Sequence, residues 1–123
     1  MADNNDALFN IRKLEHRDSV ISATLDINKD CDILKGHFPE QPVIPGACML
    51  QMVKEILSAN MLSAYHLKKA DHLKFIAPIG PNMADELEIK LTYKAIEAGL
   101  QVVAVLTANG VTCFKMQGVW TAD

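Results

Sequence analysis

Three prolines and two glycines fall within the eleven residues Gly36-His37-Phe38-Pro39-Glu40-Gln41-Pro42-Val43-Ile44-Pro45-Gly46, and an apolar stretch of helical spacing begins where they end. Each proline fixes its own φ and restricts the residue before it, so the segment predicts a stiff loop rather than a strand or a helix. Proline is favoured at the first helical position, which predicts a helix opening at Pro45 with Gly46 in its first turn. The leading N–H groups of a helix have no partner within it and stand at the positive end of its dipole, ready to receive an oxyanion. A histidine held beside such a site, His37, is the outline of a catalytic centre. Turn chemistry alone also accounts for the prolines and glycines, since loops of this kind commonly precede helices.

From Pro45 to about Leu62 the residues Met49, Met52, Val53, Ile56 and Leu57 recur at helical spacing, with Gln51, Glu55 and Ser58 on the other face. The stripe reads as the core side of a helix, where methionine fills the irregular gaps under a sheet. Strands are read from alternation. Ile21, Ala23, Leu25 and Ile27 alternate with polar residues after a turn at His16-Arg17-Asp18-Ser19. Over Glu86 to Tyr93 the residues Leu87, Ile89, Leu91 and Tyr93 share one face. His72 to Ile76, Leu100 to Ala108 and Val111 to Trp120 complete the set, joined at Glu97-Ala98-Gly99 and at Asn109-Gly110, a strong hairpin signal. One long helix followed by antiparallel strands is an α+β pattern.

At 123 residues the chain fits one domain, 1–123, with a polar start expected to be frayed over residues 1–6. A net charge of −3 leaves no basic footprint for nucleic acid. No apolar run reaches the length of a membrane span and the first residues lack a signal-peptide pattern, so a cytoplasmic protein is expected. Cys31, Cys48 and Cys113 are odd in number and widely spaced, so neither a disulfide nor a zinc site is expected. Lys68, Lys69 and Lys74 form a small basic cluster, readable as a solvated patch or as a rim for an acidic carrier protein.

The pattern G-H-F-P-x-x-P-x-x-P-G ahead of an apolar helix resembles the signature of the β-hydroxyacyl-acyl-carrier-protein dehydratases of the hotdog-fold superfamily. Gly36, His37, Phe38, Pro39, Pro42, Pro45 and Gly46 fill its fixed positions. A second block, Lys74-Phe75-Ile76-Ala77-Pro78-Ile79-Gly80-Pro81, resembles that family's K-F-x-x-P-x-x-P stretch. The resemblance implies a hotdog fold, a curved antiparallel sheet wrapped around one long central helix, with a homodimer as the minimal unit. It implies a (3R)-hydroxyacyl thioester substrate on acyl carrier protein or CoA, in fatty-acid or lipid synthesis, and no cofactor or metal.

Dehydration needs a base at the α-carbon, an acid at the departing β-hydroxyl, and stabilisation of the thioester oxygen. By position in the family pattern, His37 matches the base, the backbone N–H of Gly46 the oxyanion donor, and the Val43 carbonyl the group that orients the histidine. Imidazole titrates near neutrality, which suits His37 to the task. The family's helix carboxylate is replaced by Gln51, and an amide cannot serve as a general acid at physiological pH. Glu55 lies one turn further on, about 6 Å away on nearly the same face. It reads either as a displaced acid acting through a bridging water or as an ordinary surface carboxylate. Phe75 lines the acyl tunnel by family analogy, or is simple core.

Other candidates carry less. Cys48 near the helix start reads as a nucleophile or, more simply, as a small core residue. His16, His66 and His72 share no spacing, and Trp120 reads as core or interface. The functional expectation is a dehydratase with an altered acid side. A non-catalytic acyl-thioester-binding subunit is the first alternative and a hotdog acyl thioesterase the second.

Overall fold

The computed structural model describes residues 9–27, 46–77 and 87–122. They form strands β1 (Phe9–Arg17) and β2 (Val20–Ile27), helix α1 (Gly46–Met61), and strands β3 (Tyr65–Phe75), β4 (Leu87–Ile96), β5 (Gly99–Ala108) and β6 (Val111–Ala122). The six strands make one antiparallel sheet in the order β1-β2-β4-β5-β6-β3, so β1 and β3 are its edges.

Alternation decides which face each strand buries. Ile21, Ala23 and Leu25 of β2, Leu87, Ile89 and Leu91 of β4, and Leu100, Val102, Ala104 and Leu106 of β5 are all buried. They pack against the helix face formed by Met49, Met52, Val53, Ile56 and Leu57, the stripe expected from the sequence. This is the α+β hotdog architecture, a sheet wrapped on one long helix. Among the described residues no polar or charged residue is buried as a whole, and Trp120 lies inside the core.

Two elements differ from the sequence expectation. β1 was not legible as a strand, because nearly all of its residues are exposed and no one-sided apolar pattern marks it. β3 starts at Tyr65 rather than His72. Irregularities in its pairing with β6, between Leu67 and Lys69 and between Ala70 and His72, break the alternation that would have announced it. The Asn109-Gly110 turn is as read, with both residues at positive φ (50° and 85°), the geometry that such a two-residue hairpin requires.

Several local bonds hold the frame. The helix ends at Met61, and Leu62, with a φ of 57°, is a left-handed residue just past its last turn. The Tyr65 N–H then donates to Ser58 Oγ at 3.0 Å, tying the start of β3 to the helix. At the far edge His16 Nε2 and Tyr93 Oη are hydrogen-bonded at 2.6 Å, so His16 bridges β1 to β4 across β2. Gly118 of β6 lets β3 approach closely: a Cβ there would meet the Lys69 carbonyl oxygen at 2.5 Å.

Candidate active site

Helix α1 begins at Gly46, and its first turn carries no acidic side chain. Its leading N–H groups are therefore neutralised by no carboxylate of their own turn, which preserves the partial positive charge there. Phe75, the last residue of β3, covers this point. A Cβ on Gly46 would stand 2.7 Å from Phe75 Cζ and 2.8 Å from Cε1, so the ring rests on the glycine backbone. Its other side is held by Phe114, with ring centroids 5.3 Å apart. Just beyond it the N–H groups of Ile76 and Ala77 both donate to the Cys113 carbonyl, at 2.7 and 3.2 Å. The backbone after Phe75 is thereby fixed to β6.

Phe75 nevertheless remains half exposed, at 51%. That corrects the reading of this aromatic as simple core: it is a cap at the mouth of the helix N-terminus. Its supporting residue, Phe114, was not singled out from sequence, since only the β3–β6 register pairs the two.

Gln51 and Glu55 both lie exposed on the helix face turned away from the core. At 100° per residue they sit on neighbouring turns of one side. Gly46 and Phe75 come together, whereas Gln51 and Glu55 face outward. His37 and Val43 lie outside the described residues, as does Cys31. Cys48 is half-buried against the core rather than fully inside it. Among the described residues no three His, Cys, Asp or Glu side chains gather as metal ligands would, and no helix is long and apolar enough to cross a membrane.

A cavity of about 440 Å³ lies elsewhere among the described residues. Ser22, Thr24, Glu88, Lys90, Val105 and Thr107 border it, on the sheet face opposite the core and the helix. A smaller one, about 140 Å³, is lined by His72, Lys74, Lys115, Met116 and Gln117 of β3 and β6.

Residues 12–113 match the family model of the ApeI-like proteins, described as ApeI dehydratase. The chain belongs to the ApeI-like dehydratase family. The matched stretch takes in the His37 loop, all of α1 and the Lys74-Phe75 block. Among curated proteins, the 3-hydroxyacyl-[acyl-carrier-protein] dehydratase FabZ of Aeromonas hydrophila is 30% identical over 88 residues, covering 63% of this chain and 56% of that protein. FabZ of Tolumonas auensis is 27% identical over 101 residues, covering 74% and 66%. The ApeI-like chain thus spans somewhat more than half the length of these relatives. Among solved structures, the dehydratase heterocomplex ApeI:P from Xenorhabdus doucetiae superposes with a TM-score of 0.75 at 18% identity, over 91% of this chain and 96% of that one. Cj0977, a sigma28-regulated virulence protein from Campylobacter jejuni, superposes at 0.70 with 13% identity, over 98% and 87%. At these identities the superpositions establish a shared fold.

Proposed function

We propose that this ApeI-like protein dehydrates a β-hydroxyacyl thioester carried on acyl carrier protein or CoA, within fatty-acid or related lipid synthesis. The observation that carries the reading is the family match across residues 12–113, which encloses every residue assigned a role. His37 takes the α-proton, oriented by the Val43 carbonyl. As electrons move toward the thioester oxygen, the N–H of Gly46 donates to it at the positive end of α1. The β-hydroxyl leaves as water, protonated on the side bearing Gln51 and Glu55. Glu55 supplies the proton through a water held by the Gln51 amide, and Phe75 lines the entrance.

Because Gln51 and Glu55 face outward from the subunit, the reading includes a partner subunit whose loop brings His37 to them. A homodimer is the simplest such assembly, each subunit a single domain of residues 1–123.

Gln51 favours a second reading. With an amide where the family has a carboxylate, the chain would be a subunit that binds acyl thioester without turning it over, its activity residing in a related partner.

Hydration of a trans-2-enoyl thioester, the reverse reaction, separates the two. Turnover abolished by both His37→Ala and Glu55→Gln supports the dehydratase with a displaced acid. Turnover lost only with His37→Ala removes Glu55 from the mechanism. Binding without turnover, unaffected by His37→Ala, replaces the first reading with the second.

A further inference from the structure

The chain is acidic overall at −3, yet strand β3 gathers Lys68, Lys69, Lys74, His66 and His72 against one acid, Asp71. The register with β6 sorts them by face. Phe75 stands opposite the core residue Phe114, so Lys74 and His72 fall on the outer face, opposite Lys115 and Gln117. Lys74 and Lys115 are thus direct cross-strand partners, and like charges placed opposite one another repel.

Between these residues opens the cavity of about 140 Å³, and among the described residues no carboxylate lines it. Asp71 is engaged elsewhere, with Lys69 Nζ at 3.6 Å and Gln101 Nε2 at 3.4 Å. Lysines on an edge strand commonly serve to block edge-to-edge pairing. That role explains Lys68, Lys69 and Lys74, but not Lys115, because β6 lies inside the sheet between β5 and β3. An anion seated between the two ammonium groups would offset their repulsion. Two ammonium groups, a side-chain amide and an imidazole N–H offer donors from several directions, as a tetrahedral oxyanion requires.

We infer that His72, Lys74, Lys115 and Gln117 form a phosphoryl-anion site whose occupant is the phosphate of the acyl carrier's pantetheine arm. The occupant, though not the site, rests on the acyl-thioester reading above. Lys74 immediately precedes Phe75, so the phosphate is held at the end of β3 that also caps the helix N-terminus.

The first test is thermal unfolding of the full chain in phosphate and in chloride at matched ionic strength. Phosphate raises the wild-type midpoint by mass action. Lys115→Gln raises the midpoint in chloride, because the repulsion is gone, and loses the phosphate increment. Lys115→Arg retains it. A wild type indifferent to phosphate, or a Lys115→Gln chain that responds as wild type does, overturns the site. The second test is calorimetric affinity for 4′-phosphopantetheine and for pantetheine. Wild type prefers the phosphorylated form by about tenfold, and Lys115→Gln shows no preference. Equal affinities in wild type overturn the carrier as occupant, even where free phosphate binds. Neither test depends on turnover, so a failure in the hydration assay leaves both decisive.

Discussion

The ring of Phe75 lies on the backbone of Gly46, so close that a Cβ there would stand 2.7 Å from Cζ. One contact thereby joins the end of an edge strand to the first turn of the helix it packs against. Glycine leaves the ring its place, since any side chain there would have to displace it.

Gly46→Ala is therefore expected to destabilise the protein by about 1–3 kcal/mol, the usual cost of overpacking. In a Phe75→Ala background the clash is gone and alanine's better helix propensity applies, worth up to about 1 kcal/mol in its favour. The sign of the substitution should reverse between the two backgrounds. Urea unfolding of the four chains measures this directly, and a coupling below about 0.5 kcal/mol would contradict the contact.

Gln51 and Glu55 are exposed, so Gln51→Glu and Glu55→Gln should each change stability by no more than about 0.5 kcal/mol. Their effects on enoyl-thioester hydration then report chemistry alone. Gln51→Glu restores the carboxylate of the family pattern and is expected to raise the rate by about 10²-fold, a normal contribution for a positioned general acid. A rate unchanged by Gln51→Glu, in a chain that turns over, would mean that this position does not supply the acid.

The helix stripe supports a simpler expectation. Ile56 is fully buried between α1 and the sheet. Ile56→Ala should cost about 2–5 kcal/mol, from lost transfer energy and the cavity left behind. Exposed Ala59 on the same helix offers a control, since Ala59→Ser removes no packing. Equal effects of the two on the denaturation midpoint would mean that the stripe does not form the core.

Much of this was legible in the chain because burial leaves periodic marks. Met49, Met52, Val53, Ile56 and Leu57 read as one helix face, and Leu87, Ile89 and Leu91 as one strand face, since each element buries a single side. β1 left no such mark, having almost nothing buried, and β3 lost its period to two bulges. At the site, Gly46 and Phe75 were named separately by their motifs, but their contact depends on tertiary packing. The pairing of Lys74 with Lys115 was equally hidden. Forty-one positions separate them, and only the β3–β6 register, from Phe75↔Phe114 back to Tyr65↔Ala122, makes them neighbours.

That register leads to the last expectation, at Gly118. A Cβ there would approach the Lys69 carbonyl oxygen to 2.5 Å and Ala70 Cα to 3.2 Å, and both atoms belong to backbone. Unlike the ring over Gly46, neither can rotate aside. Gly118→Ala must push β3 away from β6 near its bulges, at a cost of at least about 1–3 kcal/mol. The displacement would be felt at the end of the strand, where Phe75 rests on Gly46 and Lys74 faces Lys115. Amide hydrogen exchange should show faster exchange through β3 in Gly118→Ala, with the β4–β5 pairing protected as in wild type. Exchange that instead quickened evenly across all six strands would mean that β3 does not move independently of the sheet, and that the helix cap and the basic cavity are held by the core as a whole.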